Sequence, residues 1–270
     1  MKKRGLAIPY IIWMAIFVVS PLIIVIIYAF TNETGQFSLE HFQGMGLYSG
    51  VFGTSFFLAF VATAFCLLIG YPLAYVLSRE SPNVRKISLI LIMLPMWMNF
   101  LLRTYAWMSI LESNGFLNRF LVFIGLPPLH IINTEAAVVI GMIYNFLPFM
   151  VLPIYSVIIK IDHKVIEAAQ DLGANSIVVF RRIIFPLSLP GVLSGITMVF
   201  IPSVSTFVIS KLLGGGMTLL LGDLIETQFL GNTYNPHLGS AISLVMMAIV
   251  MICMAVMHRF GEGEEEAVLL

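Results

Sequence analysis

The chain has 270 residues, of which 14 are Lys or Arg and 14 are Asp or Glu, so its formal net charge is zero; 59% of it is hydrophobic and its mean hydropathy is +0.99. Charged residues make up 10% of the chain, against about 25% in ordinary soluble domains, too few to solvate a surface around this much apolar sequence. A soluble enzyme, a disordered chain and a disulfide-rich secreted module are thereby excluded, and a protein that uses the bilayer as its solvent remains.

Crossing roughly 30 Å of hydrocarbon takes about 20 apolar residues. Six segments reach that length, near 6–30, 54–78, 87–111, 135–159, 187–210 and 239–258. They are too long for barrel strands and lack period-two alternation, so an all-α, six-span membrane protein is expected. The first span follows Lys2, Lys3 and Arg4. Its apolar run from Leu6 to Phe30 outruns the roughly 7–15 residues of a signal-peptide core, and no A-x-A site follows, so it reads as a retained helix.

The third span carries Arg103, with Asn99 and Trp107 at i−4 and i+4 on the same expected helix face. A charge at this depth costs about 3 kcal/mol on insertion scales. Arg103 therefore either snorkels to the outer headgroups, pairs with Glu112, or lines a path through the membrane. Span four holds Tyr144 and Asn145, and span five holds Ser203, Thr206 and Ser210. Small polar residues of this kind serve interhelical packing. Pro95, Pro148, Pro153 and Pro202 are candidate bends. Met247, Met251 and Met254 form a stripe on span six that is expected to pack. Cys66 and Cys253 lie in apolar runs without metal-ligand spacing.

Basic residues set the orientation. Lys2, Lys3, Arg4, Arg79, Arg85, Lys86, Lys160, Lys164, Arg181, Arg182 and Arg259 fall on one side of the six spans, and only Arg119 and Lys211 on the other. Both termini are thus expected in the cytoplasm, with loops one, three and five outside. The loop between spans four and five, 160–186, is cytoplasmic on this reading and has helical character. Val165, Ala168, Ala169 and Leu172 make an apolar stripe, Gly173 suits a helix C′ position, and Asn175 can cap a second helix. That helix carries Ile177, Phe180 and Ile184, with a new helix expected at Pro186 or Pro190. Periodicity leaves two readings open: a connector resting on headgroups, or a docking element for a cytoplasmic partner.

Glu167-Ala168-Ala169, Gly173 and the run Ile183-Ile184-Phe185-Pro186 resemble the EAA loop of ABC importer permeases, with Phe185 in place of the pattern's Leu. The resemblance implies a coupling helix that sits in a groove on a separate ATP-hydrolysing subunit. The docking set it implies is Glu167, Ala168, Ala169, Asp171, Leu172, Gly173 and Phe180. The small residues allow close approach, the acids can meet basic groups on the partner, and Phe180 can anchor the second helix within the permease. The chain has no G-x-x-x-x-G-K-[ST] phosphate loop. Gly214-Gly215-Gly216 precedes Met217 and Thr218 and is expected to be a flexible link. The chain is expected to bind no cofactor or metal and to have no catalytic residues, with ATP and Mg on two ATP-binding partner subunits.

Pro95-Met96-Trp97-Met98-Asn99 through Arg103-Thr104-Tyr105, Gly115-Phe116-Leu117-Asn118 and Leu147-Pro148-Phe149 through Ser156 further resemble the B-type permease of spermidine/putrescine importers. That likeness implies one transmembrane permease domain over 1–270 in the type I importer fold, in the cell membrane. It also implies a second, different permease subunit and an extracellular or periplasmic solute-binding protein, with no role for nucleic acid. The path residues expected from it are Trp97, Asn99, Arg103, Tyr105, Trp107 and Tyr144, with Glu112, Asp223 and Glu226 near the mouth. Lys211 departs from the acid expected near its position. Related importers for iron, thiamine or other small solutes share parts of these segments. A stand-alone secondary carrier would bring membrane-depth acids and an internal repeat, and an intramembrane enzyme would bring converging catalytic groups; neither pattern is present in the sequence.

Overall fold

The computed structural model of the chain describes residues 8–231 and 233–268. Lys2, Lys3, Arg4 and the first residues of span one lie outside the described residues, as do the side chains of the tail acids Glu262, Glu264, Glu265 and Glu266. Apart from an isolated bridge between Thr31 and Phe37, the regular elements described are helical. In chain order they are α1 (Pro9–Ala29), α2 (Ser49–Arg79), α3 (Pro82–Trp97), α4 (Phe100–Leu111), α5 (Phe116–Phe123) and α6 (Glu135–Ile158). Then come α7 (His163–Asp171), α8 (Ser176–Ser205), α9 (Val208–Leu213), α10 (Leu221–Leu230) and α11 (Pro236–Val268). A short helix, Glu40–Gln43, and a 3₁₀ turn, Gly44–Tyr48, lead into α2.

Five helices are long and apolar enough to cross a membrane as they stand, and α3 with the α4–α5 segment makes a sixth span only as a broken pair bent by 94°. The expected single span at 87–111 is therefore corrected to two helices with a break at Met98 and Asn99, just after the candidate bend at Pro95. Pro95 lies in the last turn of α3 and Met98 is extended, with ψ 150°. The Asn99 side chain then accepts from the N–H groups of Leu101 and Leu102 at 2.9 and 3.3 Å and starts a new helix. Asn99 is thus an N-cap, and does not continue the helix face of Arg103 and Trp107. The turn after α4 is closed by Asn118, whose amide donates to the carbonyls of Glu112, Ser113 and Leu129 and accepts from the Leu129 N–H at 2.7 Å.

The fifth span is also corrected at both ends. No new helix begins at Pro186 or Pro190; α8 runs unbroken from Ser176 through a π turn at Phe180–Ile184. In that turn the Phe185 N–H bonds back to the Phe180 carbonyl. Proline has no N–H to give to the carbonyl four residues before it, and the widened turn carries the chain past Pro186 without a break. The C-terminal end comes at Ser205 rather than 210, because Thr206 is extended with ψ 140°.

The core lies where α2, α6 and α8 cross. Leu58, Ala62 and Cys66 of α2 meet Met142, Met150, Val151 and Ile154 of α6 and Val192 and Val199 of α8. Lipid is as apolar as these side chains, so close packing across small residues holds such helices together. At Gly191 an added Cβ would stand 2.9 Å from the Pro153 carbonyl oxygen, and at Gly195 2.7 Å from the Met150 sulfur. α1 lies apart, packed on α11, and only its last residue, Ala29, is buried. The methionine stripe also differs from expectation. Met251 is 60% exposed and Met247 38%, and it is Met246 that packs on Val204, Leu221 and Ile242.

Gly191→Leu should destabilise the protein by about 1–3 kcal/mol through overpacking, seen as a lower thermal midpoint in detergent, whereas Ser194→Ala on the exposed face should change it little. Equal midpoints for Gly191→Leu and the wild type would mean the helices do not cross this closely.

Candidate functional site

The candidate residues from the sequence fall mainly in two regions of the fold: the α7–α8 bend and the polar positions strung along α4, α6, α9 and α10. The bend is built by its caps. Asp162 accepts from the Lys164 N–H at 3.0 Å, so α7 starts at His163, two residues before Val165. Gly173 takes φ +84°, a left-handed conformation that costs an L-residue about 1–2 kcal/mol, and its N–H reaches the Gln170 carbonyl at 2.8 Å. Asn175 then accepts from Val178 N–H at 2.9 Å and opens α8.

The stripe expected on α7 divides. Ala169 turns inward with Ile166 against the core, while Val165 and Leu172 are 46% and 89% exposed and Ala168 lies outside with them. Glu167 and Asp171 are exposed on the same short helix. Ile177 also faces out, at 74% exposure. Ile184 and Phe180 anchor the second helix as expected, and Val179, fully buried like Ile184, joins them in place of Ile177. Phe180 meets Tyr71 edge-on at 5.8 Å and Tyr75 at 5.2 Å, and the Arg79 guanidinium lies 4.5 Å over the Tyr75 ring. Tyr71, Tyr75 and Arg79 are spaced one turn apart on α2. That spacing is visible in the sequence, but only Phe180 arriving from α8 makes it a contact. Behind α7 lies a cavity of about 800 Å³ lined by Glu167 together with Arg79, Arg85, Glu80 and His163.

The path residues do not form one wall. Arg103 is buried, and with Phe100, Asn145, Phe146, Phe149, Met198 and Pro202 it lines a cavity of about 470 Å³ between α4, α6 and α8. Its guanidinium is 5.8 Å from the Phe100 ring centre. Arg103 Nε and Nη1 have no hydrogen-bond partner, and neither does Asn145 Oδ1, although the Asn145 amide donates to the Gly141 carbonyl at 2.8 Å. Neither the outward snorkel nor the pair with Glu112 is formed: Arg103 is buried, and Glu112 is exposed at the end of α4. Trp107 and Tyr144 pack together, ring centres 5.1 Å apart. Trp97 and Tyr105 lie on the outside of the chain, 73% and 46% exposed.

Asp223 and Glu226 form a separate cluster on α10. Lys211 donates to both Glu226 carboxylate oxygens, at 3.0 and 3.1 Å, the one salt bridge among the described residues. Asp223 is buried and accepts from the Leu220 N–H at 3.0 Å through one oxygen, leaving the other unpartnered. Burial pushes its carboxyl above the ordinary aspartate range, against the opposing hydrogen bond from Leu220 and the Lys211 charge. Nearby, the Gly214–Gly216 segment forms a turn, with Gly214 buried and Gly215 and Gly216 exposed. Gly215 and Gly216 take φ +58° and +74°, the Gly215 backbone lies against the Asn133 side chain, and the Asn133 N–H bonds to the Leu213 carbonyl at 2.8 Å. Among the described residues no group of three His, Cys, Asp or Glu is placed to hold a metal.

Residues 4–262 match the family described as binding-protein-dependent transport system inner membrane component. The spermidine/putrescine transport system permease protein PotB of Haemophilus influenzae is 38% identical over 257 residues, covering 92% of this chain and 90% of that protein. PotB of Escherichia coli is 37% identical over the same length, covering 92% and 93%. Among solved structures, a crystal structure of a bacterial ABC transporter involved in import of the acidic polysaccharide alginate has a chain that superposes with a TM-score of 0.83 at 18% identity, over 96% of this chain and 94% of that one.

The raised Asp223 carboxyl makes a signed prediction. A folded state that holds this proton more tightly than the unfolded state gains stability that is complete below the ordinary aspartate value, about 3.9, and is lost as pH rises through the raised folded value. The thermal midpoint of the purified protein should therefore fall on going up through this window, and Asp223→Asn should flatten that part of the profile. An unchanged slope in the Asn variant would show that another group carries it.

Proposed function

The chain belongs to the family of binding-protein-dependent transport system inner membrane components, and we propose that it forms one half of the translocation path of an ATP-driven importer for the polyamines spermidine and putrescine. The relatives named for that transport system, matched over nearly their whole length, support the substrate class. The observation that carries the mechanism is the α7–α8 bend. It offers Glu167, Ala168, Asp171 and Leu172 outward while Phe180 locks the other side of the bend onto α2.

The lopsided placement of Lys and Arg supports cytoplasmic termini and puts the bend on the cytoplasmic face. There α7 enters a groove on one of two ATP-binding subunits, which hold ATP and Mg and carry out hydrolysis. Closure of those subunits displaces α7. Phe180 passes the displacement to Tyr71 and Tyr75, and α8, having no break at Pro186, carries it along its full length towards Pro202 at the Arg103 cavity. A different permease subunit supplies the other half of the path, and a solute-binding protein delivers polyamine from the far side. Nucleotide thus acts on this chain only as a bias between two arrangements of its helices.

One observation favours a second reading, a related importer for another small solute. Arg103 presents a buried, unpaired positive charge to the cavity, which a polycation does not seek. Competition of labelled spermidine uptake by putrescine and by non-amine solutes, in cells lacking only this chain and complemented with it, decides between the two. Uptake that is lost for a non-amine solute and kept for polyamines removes the polyamine assignment.

Glu167→Lys and Gly173→Asp should each lower ATP-driven uptake about tenfold or more, equivalent to about 1.4 kcal/mol or more of docking free energy, with the chain still inserted and assembled with its partner permease. Full transport by both variants in the presence of the ATPase subunits would remove the docking assignment.

A further inference from the structure

We propose that the cavity between α4, α6 and α8 is an anion site, in which a carboxylate or a small carboxylate-like anion from outside this chain binds the guanidinium of Arg103; this rests on the reading of the chain as one half of a two-permease importer. Arg103 is 8% exposed, and its Nε and Nη1 donate to nothing. A water can satisfy a hydrogen bond but leaves the charge, and a buried charge without a counter-charge is strongly unfavourable. No acid of the described chain meets it, since the one salt bridge there joins Lys211 to Glu226. The counter-charge therefore comes from elsewhere.

The cavity has room for it. At about 470 Å³ it far exceeds the space of a single water and opens to the outside of the chain. Asn145 Oδ1, on the same lining, is an acceptor without a donor. An anion accompanied by water completes both sets: the anion accepts from Arg103, and the water donates to Asn145 while hydrating the anion. The apolar remainder, Phe100, Phe146, Phe149, Met198 and Pro202, gives the pair weakly polar surroundings in which its attraction is stronger than in water. Occupancy also resolves the conflict with a cationic cargo. A bare guanidinium repels a polyamine, whereas a paired one presents a neutral wall to it.

The anion has two possible sources, a carboxylate side chain of the second permease subunit or a small anion from solution. They are separated by thermal unfolding of the full complex, with both permease chains and the ATPase subunits, in detergent. Wild type, Arg103→Met and Arg103→Lys are titrated with acetate, and the Met variant reports the general effect of salt. If the wild-type midpoint climbs with acetate and the Met variant's climbs less, a small anion is bound. If acetate shifts all three alike, Arg103→Met melts below wild type and Arg103→Lys melts above Arg103→Met, the carboxylate is the partner subunit's. Alike shifts with Arg103→Met at or above wild type overturn the proposal, and so do alike shifts with equal losses in the Met and Lys variants, which report shape alone. ATP-driven spermidine uptake by the wild-type complex is followed in parallel. Intact polyamine uptake beside an overturned anion site leaves the polyamine importer reading standing, and absent polyamine uptake beside a bound anion removes the polyamine assignment and leaves the site.

Discussion

A helix end leaves backbone N–H and C=O groups without partners inside the helix, and in a protein that spans hydrocarbon and its borders side chains supply many of those partners. Much of this structure follows from how it meets that demand. Asn99 caps the helix that restarts after the 94° break, Asn118 gathers the carbonyls of the following turn, and Thr134 accepts from Ala137 N–H at the start of α6. Asp162 and Asn175 do the same at the two ends of the α7–α8 bend, and Asp223 accepts from Leu220 N–H at the start of α10. Polar residues that look scattered in the sequence are thus largely committed to local backbone, and few remain free to meet anything else.

Those few stand out for that reason. Arg103 and Asn145 are buried and carry polar atoms without partners, as Asp223 does, and these two line the same cavity. They sit where α8 approaches the broken third span, at the level of Pro202. The same α8 begins at the bend that faces the motor on our reading. The helix is continuous through its π turn and its prolines, and its two ends reach the bend and the Arg103 cavity. Phe180 ties its first turns to α2, while Gly191 and Gly195 let it lie close on α6. The two ends are thus joined by packed side chains and a continuous helix and not by a loop.

Much of the α7–α8 bend was legible in the sequence because its signals are local. A glycine at a helix end, an asparagine two residues on and the small residues before them act within a few positions of one another, and the structure places Gly173 and Asn175 as expected. The apolar stripe on α7 divides between two faces, which spacing alone does not show: Ile166 and Ala169 meet the core, while Val165 and Leu172 face out. The path residues were the least legible. Asn99, Arg103 and Trp107 read as one face only on a continuous helix, and the cap at Asn99 removes that premise. Lys211 looked anomalous beside an expected acid until Glu226, 15 residues later, was seen to neutralise it.

The sequence by itself determined that this chain lives in a membrane, how many apolar segments it has, where its basic residues fall and which loop resembles a docking element. Those properties are sums and spacings over short stretches, and they do not depend on how helices meet. Only the tertiary structure decided that the third span is broken, that α8 runs through its prolines and that Arg103 is left without a counter-charge. Each of these depends on atoms brought together from distant positions, Arg103 with Asn145 and Pro202, Phe180 with Tyr71, Gly191 with Pro153, and contacts of that kind have no signature along the chain.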